Sequence, residues 1–170
     1  MRAFSRRGRT LQTRLDGNEL SVLGMIVGEL IELLSPLRPH AGEEIFAEPP
    51  PFWRDDPALG RLYPDAYRDD EAASAEFSRY TMADQTVAKI DAANLVLADI
   101  ADADDGWVTV PEDHIESWLI TLTNLRLVLA ERLGMTNIFD AEDMDHPMAA
   151  VYTWCGWILE SMLDQQWHDG

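Results

Sequence analysis

The chain holds 170 residues, of which 46% are hydrophobic, and its 13 basic and 31 acidic side chains give a formal net charge of −18. This length fits a single domain with its own core, and the hydrophobic content argues against wholesale disorder. The acidic balance excludes a domain-wide basic face for nucleic-acid phosphates and favours a basic protein partner.

The N-terminal segment has the opposite charge from the rest of the chain. Residues 1–14 contain five arginines and no acidic residue, whereas the remainder holds 8 basic and 31 acidic side chains. The arginines are Arg2, Arg6, Arg7, Arg9 and Arg14. Gly8 separates two short β-prone runs and predicts a β-hairpin. We expect these arginines to pair with the protein's own acidic surface; the alternative is DNA contact restricted to residues 2–14.

A first helix is predicted from Asp16 onwards. Asp16 and Glu19 have the spacing of a capping box, apolar residues then recur at helical spacing, and Pro36 ends the pattern. Because Glu29 and Glu32 interrupt the apolar run, we expect no membrane span. The sequence has a single cysteine and so no intramolecular disulfide, which fits a cytoplasmic protein.

Residues 35–64 contain seven of the nine prolines and are predicted to form a loop or arm, partly extended and packed on the body or reaching from it. Residues 67–102 are helical in composition and predict two helices, or one helix with a break near residues 82–84. A short strand is expected at 107–110, pairing with the N-terminal hairpin.

Two further helices complete the predicted fold. The first runs over Pro111–Leu133 with Gly134 as its C-terminal cap, and the second runs from after Pro147 to about Gln166. The sequence therefore predicts a mainly α, single-domain bundle of about five helices over residues 1–170, with a small N-terminal β-hairpin and a third short strand.

Two residues in these late helices raise chemical questions. Arg126 lies within an otherwise apolar stripe, and a buried guanidinium is costly unless it is paired. We predict a carboxylate partner, either Asp65 or Asp69; the alternative is a site for an anionic ligand. Cys155 lies in a helix that is apolar on nearly all sides, so we interpret it as a small buried hydrophobe, with a redox thiol as the alternative.

No motif for catalysis or metal binding is found in the sequence. The acidic run near Gly106 and Glu112 resembles a calcium loop at its end, but Ala101 and Ala103 occupy the positions of the first ligands. There is no His-Glu-x-x-His pair, phosphate loop or nucleophile elbow. We therefore expect a protein that is not an enzyme and that has no metal or cofactor.

The most distinctive segment is Asp56–Asp70, which contains Pro64-Asp65-Ala66-Tyr67-Arg68. Together with Trp118-Leu119, Asn124–Leu127 and Tyr152-x-Trp154, it resembles the actinobacterial AosR-type oxidative-stress transcriptional regulators, a family first described as a domain of unknown function. The likeness extends over nearly the whole chain. It implies a helix-dominated regulator that acts on transcription by protein–protein contact, with a sigma factor or RNA polymerase as the partner. Because Cys155 has no intrachain partner, a disulfide-gated response is not expected.

Several hypotheses follow for the contact surface. The leading one is that Arg61, Asp65, Tyr67 and Arg68, with the proline-rich arm, contact the basic partner; the alternative is that they lock the arm onto the core. A small-molecule-binding helical domain without catalysis is the other main possibility, with a pocket lined by Asn124, Arg126 and Tyr152. We expect the tryptophans of the last helix, Trp154 and Trp157, to pack in the core; the alternative is a homodimer contact.

Overall fold

The computed structural model describes residues 1–39, 50–67, 69–137 and 140–167, and the structural statements below concern these residues. They form five α-helices and one three-stranded antiparallel sheet. The strands are β1 (Ser5–Arg7), β2 (Thr10–Arg14) and β3 (Trp107–Pro111), and the helices are α1 (Gly17–Leu34), α2 (Pro57–Leu62), α3 (Glu71–Ala101), α4 (Ile115–Arg132) and α5 (Pro147–Trp167). The predicted mainly α fold, with its hairpin and third strand, is confirmed.

The sheet has β2 in the centre, between β1 and β3. Leu11 pairs with Val110 and Thr13 with Val108, and these four side chains are fully or almost fully buried. Alternate residues of β2 and β3 therefore face the core, as expected for a sheet with one covered face. Gly8 supplies the hairpin turn at φ +61°, a conformation that side-chain-bearing residues rarely adopt.

The predicted capping box opens α1. The Asp16 carboxylate accepts hydrogen bonds from the backbone N–H groups of Asn18 and Glu19, both at 2.9 Å, and the Glu19 carboxylate accepts from the Asp16 N–H at 2.8 Å. These bonds satisfy donors that would otherwise lack an intrahelical partner.

The same helix bears on the expectation that no segment spans a membrane. Residues Gly17–Leu37 are long and apolar enough to cross a membrane by length and composition, with a mean hydropathy of 1.7. In the fold, however, α1 packs against α3 and α4, and its apolar side chains Leu23, Val27, Leu30 and Leu34 are buried. In the fold 33% of the apolar window is buried, and the expectation of no membrane span stays a prediction.

Helix α3 is a single continuous helix of 31 residues, so the predicted break near residues 82–84 is wrong. No proline or glycine occurs between Glu71 and Ala101, and these residues are the usual causes of breaks and kinks. Asp70 caps the N-terminus by accepting a hydrogen bond from the Ala73 N–H at 2.9 Å. The buried face of its N-terminal half is made of small or flexible side chains, namely Ser74, Ser78 and Met82.

The described part of the proline-rich segment is folded onto the body instead of being extended. Residues Pro51–Arg54 form a 3₁₀ turn and Pro57–Leu62 form α2, which packs against α4. Trp53, Leu59 and Leu62 are buried by this packing. Residues 40–49 of the predicted arm lie outside the described residues.

Helix α4 is the centre of the bundle because it contacts α1, α2, α3 and α5. Trp118 lies fully buried on this helix. A Schellman motif closes α4: Gly134 has φ +66° and its N–H donates to the Glu131 carbonyl, while the Met135 N–H donates to the Ala130 carbonyl. The predicted glycine cap is thus confirmed. Helix α5 packs along α4 and buries Cys155, Ile158 and Met162.

Candidate functional site

The charged residues of the distinctive motif mostly make contacts within the chain. The Arg61 Nε lies 2.7 Å from a carboxylate oxygen of Glu131 on α4, and the Arg54 Nη1 lies 3.7 Å from the Asp65 carboxylate. Asp56 begins α2 and accepts a hydrogen bond from Arg132 of α4 at 2.7 Å. The pairs of Arg61 with Glu131 and of Asp56 with Arg132 attach α2 to the central helix, whereas the Arg54–Asp65 pair joins the two turns that flank α2.

The electrostatics of Asp56 reflect this attachment. Partial burial acts to raise the pKa of the Asp56 carboxyl, but the hydrogen bonds from Arg132 and from the Ala58 N–H outweigh it, so that the pKa lies below its ordinary value. The ionised form of Asp56 is therefore favoured by folding.

Aromatic residues complete the attachment of the arm. Tyr63 is buried, its hydroxyl is 2.7 Å from the Thr86 hydroxyl on α3, and its ring meets the Trp53 ring edge to face at 6.3 Å. The Lys89 ammonium lies 5.1 Å from the centre of the Tyr63 ring. Burial raises the pKa of Tyr63 to about 12, in spite of the Thr86 hydrogen bond, and burial also lowers the pKa of Lys89.

Tyr67 is attached to α3 through its backbone. The Tyr67 N–H donates to the Ser74 hydroxyl at 3.0 Å, and that hydroxyl donates to the Tyr67 carbonyl at 2.8 Å. The Tyr67 ring is 52% exposed and meets Phe77 edge to face at 6.4 Å. Arg68, the remaining predicted member of the motif, lies outside the described residues. The contacts of Arg61 and of the Tyr67 backbone are those of a lock between the arm and the core, and Asp65 pairs with Arg54 within the same segment.

The prediction of a carboxylate partner for Arg126 is wrong. Its Nη2 donates to the Tyr152 hydroxyl at 2.9 Å, and its guanidinium stacks on the Tyr152 ring with 4.6 Å to the ring centre. Gly156 provides the space, because a Cβ at that position would lie 3.2 Å from the guanidinium carbon. Asp65 instead lies next to Arg54. The sequence pattern could not distinguish a carboxylate from a tyrosine as the partner, since both accept hydrogen bonds from arginine.

Helix α4 also carries buried polar atoms without partners among the described residues. They are the Thr121 hydroxyl oxygen, the Asn124 Nδ2 and the Arg126 Nε. Such groups cost free energy when they are buried without a hydrogen bond.

Cys155 does not have the surroundings of a reactive thiol. Its side chain is fully buried on α5, and burial raises its pKa to about 12 in spite of the nearby Arg126. The thiolate is the reactive form, so this environment keeps Cys155 protonated at neutral pH. The interpretation of Cys155 as a small buried hydrophobe agrees with this position.

A buried polar cluster joins α3, α4 and the 3₁₀ turn Glu112–His114 that directly precedes α4. The sequence pattern does not predict this cluster. The Asp99 carboxylate accepts hydrogen bonds from the Trp118 Nε1 at 2.8 Å and lies 3.0 Å from the His114 Nδ1. His114 is partly buried by this contact. Asp99 and His114 are 15 residues apart, and no local pattern links them. Because none of the cavities described below is lined by these residues, we interpret the cluster as structural.

One cavity, with a volume of about 500 Å³, is a groove between α1 and α4. His146 and, at the start of α5, Met148 also line this cavity. Its apolar lining comes from the facing sides of the two helices: Ile26, Leu30 and Leu33 on α1, and Leu125, Val128, Leu129 and Leu133 on α4. We name this cavity the α1–α4 groove.

The charges along the α1–α4 groove are unequally compensated. Glu29 and Glu32 of α1 are exposed, and neither forms an ion pair or hydrogen bond with any described residue. Arg132 on the α4 side is bonded to Asp56. The uncompensated charge of the groove wall is therefore negative.

Other cavities have a different composition. A shallow cavity of about 150 Å³ is lined by Arg61, Leu127 and Tyr152, among others, but its lining does not include Asn124 or Arg126. Of the three residues predicted to line a ligand pocket between the late helices, Tyr152 lines this cavity. A polar cavity lies beside Arg14 and Asp105 at the sheet.

The N-terminal arginines are partly engaged by the chain itself. Arg9 lies 2.8 Å from the Glu112 carboxylate, Arg14 lies 2.9 Å from the Asp105 carboxylate, and the Arg6 guanidinium donates to the Gln165 carbonyl at 3.4 Å. These contacts favour pairing with the protein's own surface over DNA contact. Arg2 and Arg7 are exposed and form no ion pair with another described residue.

Comparison with known proteins places the chain in a family without assigning an activity. No curated protein and no solved structure gives a significant match to this chain. The family model described as "Domain of unknown function (DUF2017)" matches residues 1–165. Because this match extends over nearly the whole chain, the protein belongs to the DUF2017 family.

Proposed function

We propose that this protein is a non-catalytic cytoplasmic regulator that acts on transcription by protein–protein contact, and that a basic segment of its partner binds the α1–α4 groove. The observation that carries the proposal is the combination of an apolar groove with two exposed, uncompensated carboxylates, Glu29 and Glu32. The floor of the groove is buried (Ile26, Leu30, Leu125 and Leu129), and its apolar edge is half-buried (Leu33, Val128 and Leu133). Apolar concavities bordered by polar residues are typical of interaction sites.

This proposal assigns different roles to the groove and to the distinctive motif. Arg61, Asp65 and the Tyr67 backbone already have partners within the chain. We therefore assign these residues to locking the arm, and the partner contact to the groove.

The resemblance to AosR-type regulators supplies the class of partner, a sigma factor or RNA polymerase. The fully buried Cys155, with its raised pKa, argues against a thiol switch in this chain. We expect partner binding that does not respond to oxidant.

The test is direct binding to the purified transcription machinery of the host. The protein, immobilised through a tag, is titrated with core RNA polymerase and with each sigma factor by biolayer interferometry, with and without hydrogen peroxide. Binding that weakens with salt and is the same for wild type and Cys155→Ser would support the proposal. If no component binds and transcription in a purified system is unchanged, the transcriptional role is wrong.

Binding of a small apolar molecule is a second candidate function. The groove volume of about 500 Å³ lies within the range of ligand pockets, which is about 300–1,000 Å³. Native mass spectrometry of the protein purified from its own host would show such a ligand as a discrete added mass. A protein that carries only its own mass would oppose this candidate.

A further inference from the structure

We infer that the α1–α4 groove binds a single amphipathic α-helix, laid along the groove, with lysine or arginine side chains facing Glu29 and Glu32. This inference rests on the proposed function and specifies the chemistry of the partner segment.

The walls of the groove indicate that the bound segment is helical. Both walls are α-helices, so the backbone N–H and C=O groups of their central turns are already hydrogen bonded within each helix. An extended segment would find no backbone partners on these walls, and burying its own backbone groups would be costly. A helix satisfies its backbone groups internally and presents only side chains, as in other helix-in-groove complexes.

The size of the apolar lining fits two turns of such a helix. The lining extends from Ile26 to Leu33 on α1 and from Leu125 to Leu133 on α4. At about 1.5 Å per residue these spans are roughly 10–12 Å long, the length of two helical turns. Apolar side chains at positions i, i+3 or i+4, and i+7 of the partner would therefore occupy the groove.

The charges select a basic helix over an acidic one. Glu29 and Glu32 are three residues apart on α1 and therefore lie on neighbouring turns of the same side. No described residue compensates either carboxylate, whereas Arg132 on the α4 side is already bonded to Asp56. Basic side chains along one edge of the partner helix would meet the α1 carboxylates, and the net charge of −18 would attract such a helix from a distance.

The test uses defined synthetic peptides with the full-length protein. The probe is a fluorescein-labelled amphipathic helix of about 14 residues, roughly four turns, made of leucine and lysine in helical spacing. A second peptide has glutamate in place of every lysine, and a third has the lysine peptide's composition in scrambled order. We expect the anisotropy of the first peptide alone to rise to saturation as protein is added.

Two matched variants locate the binding. Glu29→Lys/Glu32→Lys reverses both carboxylates of the groove, whereas Glu76→Lys/Glu160→Lys reverses two exposed helical glutamates outside the groove lining and changes the net charge by the same amount. We expect the groove variant to weaken binding about tenfold and the control variant to weaken it about twofold, the general effect of net charge. Val128→Trp, which places a bulky side chain on the half-buried lining, should abolish saturable binding while the far-ultraviolet circular dichroism stays native.

Three outcomes would overturn the inference: equal binding of the lysine and glutamate peptides, equal losses in the two charge-reversed variants, or no saturable binding of the lysine peptide. The failures of the two proposals remain distinguishable. If sigma factor or polymerase binds wild type and the groove variant equally, the groove inference is wrong and the transcriptional role stands. If the peptide binds in the groove but no component of the transcription machinery binds, the groove inference stands and the transcriptional role is wrong.

Discussion

The arm and the α1–α4 groove both border helix α4, but their charged side chains differ in whether they have partners of opposite charge. Residues 50–67 comprise the second described part of the arm and the three residues that follow it. In this segment the ionic side chains of Asp56, Arg61 and Asp65 each lie next to a partner of opposite charge. In the groove, Glu29 and Glu32 have no partner among the described residues. Arg132 belongs to both regions, since it lines the groove and binds Asp56.

The distinctive motif Asp56–Asp70 can therefore stabilise the fold without being the contact surface. Charged residues whose hydrogen bonds are made within the chain contribute to stability and offer less to a partner. Exposed carboxylates beside an apolar groove contribute little to folding and remain free for a partner. Changes in the arm should therefore affect the free energy of unfolding, and changes in the groove should affect binding.

The largest expected effect is the loss of the Tyr63 ring. Tyr63→Ala removes a buried aromatic side chain that contacts Trp53, Thr86 and Lys89, and we expect the free energy of unfolding to fall by about 3–5 kcal/mol. Urea denaturation monitored by circular dichroism measures this change. Phe77→Ala, at a ring that is 42% exposed, is the control and should cost about 1 kcal/mol or less. Equal losses in the two variants would mean that the arm is not locked as described.

The second effect is the response of the arm to alkaline pH. Folding raises the pKa of Tyr63 from 10.0 to about 12, so the folded state disfavours the phenolate and stability falls as the pH rises from about 10 to 12. Tyr63 should contribute on the order of 2 kcal/mol to this loss. Tyr63→Phe should make the curve of unfolding free energy against pH flatter between about pH 10 and 12. An identical slope in wild type and Tyr63→Phe would refute the assignment.

The third effect comes from the ion pairs that attach α2. Each of Arg61→Ala and Arg132→Ala should lower the free energy of unfolding by about 0.5–1 kcal/mol, since their pairs are partly exposed. The pKa of Asp56 lies below 3.8 in the folded protein, so its contribution is complete above that value and is lost as the pH falls through the folded pKa. Arg132→Ala should therefore reduce the acid dependence of stability. A double-mutant cycle of Arg61→Ala with Glu131→Ala isolates the other pair, and zero coupling would argue against it.

The smallest effect on stability is expected in the groove. Glu29→Gln and Glu32→Gln should change the free energy of unfolding by less than about 0.5 kcal/mol, because neither carboxylate has a partner among the described residues. Thermal and urea denaturation of both variants measure this. A loss of more than about 1 kcal/mol in either variant would show that the carboxylate supports the fold and would break the contrast between the two regions.

Local features were predictable where the signal lies within a few residues. The Asp16–Glu19 capping box, the turn at Gly8 and the cap at Gly134 each follow from one or two side chains and the backbone they require. The Tyr152 partner of Arg126 and the Asp99–His114–Trp118 cluster were not predicted, because each joins residues that approach only when helices pack. The break near residues 82–84 was predicted because the apolar stripe of α3 is sparse, although no residue there breaks a helix.

The sequence alone predicts an acidic, mainly helical domain with a small N-terminal sheet, since hydrophobic periodicity, caps and turns are local properties. The sequence does not predict which charged residues are paired or where an apolar groove lies, and the tertiary structure shows both. Arg132 and Asp56 are 76 residues apart, and the groove walls come from helices separated by all of α3. Whether a carboxylate is compensated depends on which helices are neighbours in space, and that is set by the packing of the whole bundle.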